Sequence, residues 1–168
     1  MTDERQGEAL WKALERLPRG GGIIFRHYAT PRPERRALFE RVRRIARRRR
    51  LVLVLAGTAR DAAAWRADGV HGRSARRVSR PLIRTAPAHD RRELVEAQRE
   101  ADLVLLSPVF PTHSHPGAPA LGATRFAALA GRAKRPVIAL GGMTRRRART
   151  LRGIYGWAAI DAWGDEDG

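Results

Sequence analysis

Residues 51–55 read Leu51-Val52-Leu53-Val54-Leu55, five apolar residues with no polar position among them. A strand with one wet face alternates apolar and polar side chains, whereas a strand covered on both faces is apolar throughout, as parallel strands are. Just before this run, residues 34–50 place Leu38, Val42 and Ile45 at helical spacing, with Phe39 and Ala46 beside them and arginines mostly between. Just after it, residues 59–66 form a short Ala-rich helical stretch. A buried strand flanked by helices implies a parallel sheet with helices outside it.

The same alternation continues in both directions. Strand candidates are Gly22-Ile23-Ile24-Phe25-Arg26, Gly69-Val70-His71, Pro81-Leu82-Ile83-Arg84-Thr85, Asp102-Leu103-Val104-Leu105-Leu106, Pro136-Val137-Ile138-Ala139-Leu140 and Trp157-Ala158-Ala159-Ile160. Helical patterns cover 6–17, 91–101, 124–133 and 144–155. The expected class is α/β, and the expected architecture is a (β/α)8 TIM barrel. An open doubly wound sheet is the alternative; the barrel is preferred because glycines and polar residues follow many different strands, as a barrel mouth requires. Seven strands are one short of eight. Only Met1-Thr2-Asp3 precedes the first helix, so the first strand is expected to be truncated. Little chain follows Trp163, so the last helix is expected to be short or absent. Residues 1–164 are read as one barrel domain and 165–168 as an acidic disordered tail.

Composition narrows the class. A chain of 168 residues suits one domain, and 43% apolar with 30% charged residues suits a folded one. It has no cysteine, which removes disulfides and thiolate chemistry and fits a reducing cytoplasm. No apolar stretch is long enough to span a bilayer, and residues 1–10 lack the apolar core of a signal peptide. The charge is unusual: 34 Lys and Arg against 17 Asp and Glu give +17, and only Lys12 and Lys134 are lysines. Such a balance admits nucleic-acid binding, or merely arginine-rich solvated helix faces.

Polar groups at the strand ends include Arg26, Tyr28, His71, His89, Thr112, Ser114, His115, Gly141, Gly142 and Asp161. Basic and hydroxyl groups dominate, which suits an anionic ligand. Gly141-Gly142-Met143-Thr144 is the sharpest local signal: two glycines at a strand end let backbone N–H groups approach phosphate, and a helix follows. The alternative is an ordinary tight turn. The segment 107–121 is long for a βα loop, and Thr112, Ser114 and His115 there are candidate phosphate donors. No metal site is expected: His113 and His115 stand two apart, without an HExxH motif or a cysteine ligand. The tryptophans suit packing better than base stacking.

Several stretches together resemble the thiamine phosphate synthase/TenI family. Ala67-Asp68-Gly69-Val70-His71 is similar to the family's Ala-Asp-Gly-Val-His. Ser107-Pro108-Val109-Phe110-Pro111-Thr112 resembles its Gly-Pro-Val-Phe-Pro-Thr loop, and Ala139-Leu140-Gly141-Gly142-Met143 its Ala-Ile-Gly-Gly-Ile turn. Thr2-Asp3 resembles the end of its first strand, and Arg26 is what remains of its Gln-x-Arg-x-Lys strand. The resemblance implies a (β/α)8 barrel, a role in thiamine biosynthesis, and small phosphorylated thiamine precursors as partners. It implies thiazole phosphate binding through Arg26, Thr112, Ser114, His115, Gly141 and Gly142, with Tyr28, His71 and Asp161 as further mouth residues. Self-association into a homo-oligomer is left open.

The chain departs from the synthase pattern where pyrophosphate and Mg²⁺ are held. The family's carboxylates there correspond to Ala56-Gly57 and, beyond Gly72, to Arg76; its loop lysine gives way to Thr112-His113-Ser114-His115. Mg²⁺ is thus without its usual carboxylates. TenI relatives, which act as thiazole tautomerases, use a His after the fifth strand, and Pro87-Ala88-His89 matches that place. Three readings follow: a synthase, a tautomerase working through His89 or a catalytically degenerate relative, and a basic nucleic-acid-binding protein working through Arg43, Arg44, Arg47 to Arg50 and Arg145 to Arg147.

Overall fold

The computed structural model describes residues 1–72, 81–112, 117 and 119–160. Two compact units make up these residues, one ending at Ile83 and the other starting at Arg84.

The first unit opens with a 3-10 turn, Glu4–Gln6, then runs α1 (Ala9–Arg16), β1 (Gly22–Phe25), α2 (Arg32–Arg49), β2 (Val52–Ala56), α3 (Ala59–Ala64) and β3 (Gly69–His71). Strand β1 pairs parallel with β2 through Ile23↔Leu53 and Ile24↔Val54, and β2 with β3 through Leu55↔Val70. Helix α2 starts with a proline in its first turn, where no N–H is missed, and ends on Arg50 in the left-handed conformation. It buries Phe39, Val42 and Ala46. Phe39 meets Phe25 edge-on at 5.4 Å and Trp65 at 5.3 Å, a contact of helix against sheet. Full burial of a side chain such as Phe39 stabilises by about 1.5–3 kcal/mol. Helix α3 is shorter and is capped by Thr58, whose side chain accepts from the Asp61 N–H.

The second unit runs β4 (Ile83–Ala88), α4 (Arg91–Ala97), β5 (Leu103–Leu106), α5 (Gly122–Ala130), β6 (Val137–Leu140), α6 (Arg145–Ala148) and β7 (Gly156–Ala158). Its strands also pair parallel in chain order, through Ala86↔Val104, Leu105↔Ile138 and Ala139↔Trp157. Leu94, Val104, Leu106, Phe126 and Ala139 form its core.

One device recurs in both units. The Asp68 N–H donates to the Leu53 carbonyl at 2.8 Å, and the Asp68 carboxylate accepts from the Leu53 N–H at 2.8 Å. Asp102 makes the same reciprocal pair with Arg84, both bonds again 2.8 Å. Each aspartate precedes a strand and fixes its start against the strand before.

The α/β class and the seven parallel strands are as the alternation implies. Residues 1–3 lie beside β1: the Thr2 N–H donates to the Ile24 carbonyl at 2.9 Å, and the Thr2 hydroxyl accepts from the Arg26 N–H at 3.0 Å. Two boundaries differ from expectation. Strand β4 extends to Ala88 instead of ending at Thr85, and it passes through Pro87. Ala86 and Ala88 point into the core while Pro87 is only half-buried, so the alternation of a strand survives the proline. Helix α6 stops at Ala148, not 155. Leu151 and Ile154 still pack on the core, but from irregular chain that turns at Gly153. The acidic tail, 165–168, lies outside the described residues.

Candidate functional site

In the second unit, three strand ends supply the candidate groups. His89 follows β4 directly. Its backbone N–H donates to the Glu93 carboxylate at 2.9 Å, while Asp90 caps α4 by accepting from the Glu93 N–H at 2.8 Å. The chain at His89 is thereby fixed from the helix side. The side chain is fixed from β5: Nδ1 lies 2.9 Å from the Ser107 carbonyl and 3.3 Å from its hydroxyl. A carbonyl only accepts, so Nδ1 carries a proton, and in the neutral ring Nε2 is the nitrogen with the lone pair. Ser107 is itself buried, bonds through its N–H to the Ala88 carbonyl at 3.0 Å, and precedes a cis proline. The result is an exposed imidazole of one tautomer, whose basic nitrogen is the one left for a substrate.

After β6 the chain turns through Gly141 and Gly142, with φ of +93° and +59°. A side chain would be strained at either position. Space excludes one as well. A Cβ on Gly141 would lie 2.7 Å from Pro108 Cα, and one on Gly142 would lie 2.4 Å from the Pro111 carbonyl oxygen. Segment 108–111 is held there by bonds from the Val109 N–H to the Leu140 carbonyl, 2.9 Å, and from the Phe110 N–H to the Gly141 carbonyl, 3.1 Å. The glycines thus serve close packing between two strand ends, a purpose that anion binding alone does not require. Arg147 donates to the Gly142 carbonyl, and its guanidinium sits 4.9 Å from the centre of the Phe110 ring. Thr144 caps α6 by accepting from the Arg147 N–H at 3.2 Å. Thr112 comes directly after Pro111, beside the glycine turn. Ser114, His115 and Asp161 lie outside the described residues.

In the first unit, Arg26, Tyr28 and His71 follow or end β1 and β3. The Arg26 guanidinium is 3.9 Å from the Asp3 carboxylate and 5.6 Å from the Tyr28 ring centre. Burial works against the Asp3 charge, but hydrogen bonds from Arg5 and the charges of Arg5 and Arg26 outweigh it and hold the carboxyl below its usual range. Tyr28 is exposed. His71 is buried, and burial together with the Arg26 charge pushes its pKa down to about 4. It is therefore neutral at pH 7. His27 is also buried, with φ of +45°; its Nδ1 lies 3.0 Å from the Thr2 hydroxyl, and its ring stacks on Phe25 at 4.8 Å. Burial lowers its pKa too.

Sequence reasoning missed Ser107 and Arg35, and it placed Arg147 among possible nucleic-acid contacts and not at the glycine turn. Arg35 donates to the Arg26 carbonyl at 2.9 and 2.7 Å and to the Ala56 carbonyl at 2.7 Å, tying the ends of β1 and β2 together. A signal existed: Arg35 stands four residues before Phe39 and seven before Val42, on the buried stripe of α2.

The fit to Mg²⁺ is poor. Among the described residues no three His, Asp or Glu side chains gather to hold a metal ion. Asp61, which follows β2, already bonds Arg32 at 2.6 Å and Thr58 at 2.8 Å. Residues 73–80 contain no carboxylate in their sequence. Among the described residues, no helix is long and apolar enough to cross a membrane.

Residues 1–163 match the family model described as thiamine monophosphate synthase, TMP-TENI. The chain is 30% identical over 173 residues to the putative thiamine-phosphate synthase 2 of Aquifex aeolicus (strain VF5), covering 95% of this chain and 93% of that one. It is similar to the solved thiamine phosphate pyrophosphorylase of Pyrococcus furiosus, with TM-score 0.79 and 28% identity over 99% of this chain and 86% of that one. The thiamine phosphate pyrophosphorylase of Bacteroides thetaiotaomicron matches with TM-score 0.60 at 18% identity, covering 99% and 84% of the two chains, a likeness of fold.

Proposed function

The chain belongs to the thiamine monophosphate synthase family, and from that premise we infer that it binds a phosphorylated thiazole precursor of thiamine at the strand ends of its second unit. We read the strands as those of a (β/α)8 barrel with a truncated first strand. The parallel order within each unit and the bond from Thr2 to Ile24 support that reading.

The phosphate lies by Gly141 and Gly142, with Arg147 as its counter-charge and Thr112 beside it. Ser114 and His115 are further phosphate donors; on the family resemblance Arg26, Tyr28 and His71 of the first unit, and Asp161, are candidate ligand contacts. The chemistry the second unit is best furnished for is proton transfer by His89. The single observation that carries this is the 2.9 Å contact of His89 Nδ1 with the Ser107 carbonyl, which leaves Nε2 as the base. In a thiazole tautomerisation, Nε2 takes a proton from one carbon of the substrate and returns it at another position, with no net change in charge.

A second reading is the coupling of thiazole phosphate to an aminopyrimidine pyrophosphate. The names of the relatives at 30% and 28% identity favour it. The poor fit to Mg²⁺ counts against it, since such sites use one or two carboxylates.

Calorimetry and turnover separate the two. His89→Ala is expected to bind thiazole phosphate as the parent chain does and to lose tautomerase turnover by about 10²–10⁴-fold, the usual worth of a positioned acid–base group. Mg²⁺-dependent coupling that ignores His89→Ala would overturn the tautomerase reading and restore the synthase one. Failure of either chain to bind thiazole phosphate would overturn both.

A further inference from the structure

The structure sorts the arginines of α2 into those already engaged and those that are not. Arg36 and Arg43 share Glu40. Arg48 and Arg49 share Glu15, and Arg49 also donates to the Leu17 carbonyl at 2.7 Å. Arg41 lies over the Trp11 ring, 4.2 Å from its centre. Arg44 and Arg47 are exposed, and among the described residues no carboxylate meets either.

These groups share one ridge. Arg41, Arg44 and Arg48 stand at i, i+3 and i+7, with Arg47 beside them, opposite the buried stripe of Phe39, Val42 and Ala46. The ridge continues past the helix end to Arg50 and Arg19, both exposed; the Gly20 N–H, next to Arg19, donates to the Arg50 carbonyl at 3.2 Å. Like charges three and four apart repel one another on a helix. The helix dipole compensates cations in the last turn only, so it accounts for Arg47 to Arg49 but not for Arg41 and Arg44. Arg48 has Glu15 and Arg41 has the Trp11 ring, but the charges of Arg44 and Arg47 on this ridge meet no carboxylate among the described residues, and a polyanion would relieve them.

We propose that the outer face of α2 docks the phosphate backbone of a nucleic acid without reading its bases. The cations are guanidiniums, whose planar fork matches phosphate oxygens two at a time. A rigid helix spaces them by about 5–6 Å from turn to turn, which suits a regular row of anions. The ridge presents no exposed aromatic side chain to stack on bases. It also presents no large apolar group to enter a membrane: among the described residues the exposed large apolar ones are Tyr28, Ile83, Val95 and Tyr155, none of them on α2.

The test is binding of the full chain to a fluorescein-labelled, mixed-sequence DNA duplex, followed by anisotropy over a salt series. Each phosphate contact contributes about −0.9 to the slope of log affinity against log salt. Arg44→Gln with Arg47→Gln is expected to flatten that slope by about two. The affinity lost between 50 and 200 mM salt then shrinks about tenfold. A control pair, Arg125→Gln with Arg152→Gln, removes two exposed arginines of the second unit and is expected to leave the slope unchanged. An unchanged slope in the α2 variant, with its thermal melt intact, would overturn the proposal. So would an equal loss in the control pair, which would assign binding to bulk charge. Absence of duplex binding by the parent chain at 50 mM salt, with retention on anionic lipid vesicles, would also overturn it.

Discussion

Gly142→Ala isolates what the glycine turn contributes to the fold. The substitution adds one methyl group at φ of +59°, where an L residue costs about 1–2 kcal/mol. The methyl would also stand 2.4 Å from the Pro111 carbonyl oxygen and 3.0 Å from Phe110 Cβ. Both belong to chain tied to β6 by backbone bonds, so neither can swing aside as the tip of a flexible side chain would. Forced overpacking of this kind costs about 1–3 kcal/mol. The sum is a loss of about 2–5 kcal/mol. Gly153→Ala supplies the control, because Gly153 has φ of +71° but nothing within 4 Å of its Cβ position. It pays the conformational cost alone, about 1–2 kcal/mol. Urea unfolding at pH 7 reads the difference. The two variants then differ by the overpacking cost of about 1–3 kcal/mol, and with a slope of about 1–3 kcal/mol/M the Gly142 variant should unfold about 0.3–3 M below the Gly153 variant. Equal midpoints would refute the packing argument. The same reasoning bars Gly142→Asp as a probe of phosphate binding, since any Cβ there disturbs the turn before its charge acts.

Two further outcomes follow from the geometry. His71 has a folded pKa of about 4 against an ordinary 6.5, so the unfolded chain takes up its proton first as pH falls. Its contribution is therefore full above about pH 6.5 and lost by about pH 4, a span worth about 3 kcal/mol; His71→Gln should flatten the fall in urea midpoint between pH 7 and pH 4.5, and an unaltered fall would exclude the buried neutral histidine. Asp68→Ala removes the acceptor of the buried Leu53 N–H and should cost about 1.5–3 kcal/mol, whereas Asp68→Asn keeps an oxygen there and should cost less; equal losses in chemical denaturation would show that the carboxylate oxygen is not what matters.

The parallel order was legible because it rests on local patterns: uninterrupted apolar runs such as Leu51 to Leu55, separated by helical stripes. His89 stood out through the resemblance of Pro87-Ala88-His89 to the TenI pattern, not through its strand, which the sequence pattern ends at Thr85 and the structure carries to Ala88. The boundary of β4 was not, because Pro87 reads as a strand breaker until its neighbours Ala86 and Ala88 are seen to keep their inward alternation. The glycine pair was read as an anion cradle. Its tight contact with Pro108 and Pro111 depends on residues some thirty positions away, which no local pattern encodes. Ser107 escaped notice because a backbone carbonyl orients the imidazole, and every residue has one. Arg35 was hidden among so many arginines that its place on the buried stripe of α2 went unweighed.

The reciprocal aspartate pairs bear on how quickly such a chain can find its fold. Parallel strands are slow to assemble because their partners are separated by a helix, and loop-closure entropy must be met before pairing rewards it. Here the contact that sets register is among the shortest such a connection permits: Asp68 reaches back 15 residues to Leu53, and Asp102 reaches back 18 to Arg84. In these two steps, β2 to β3 and β4 to β5, the residue just before the later strand is tied to the earlier one by two bonds. A slip by one residue would break both bonds of a pair at once, so at these two connections a change of register is resisted at the start of the strand.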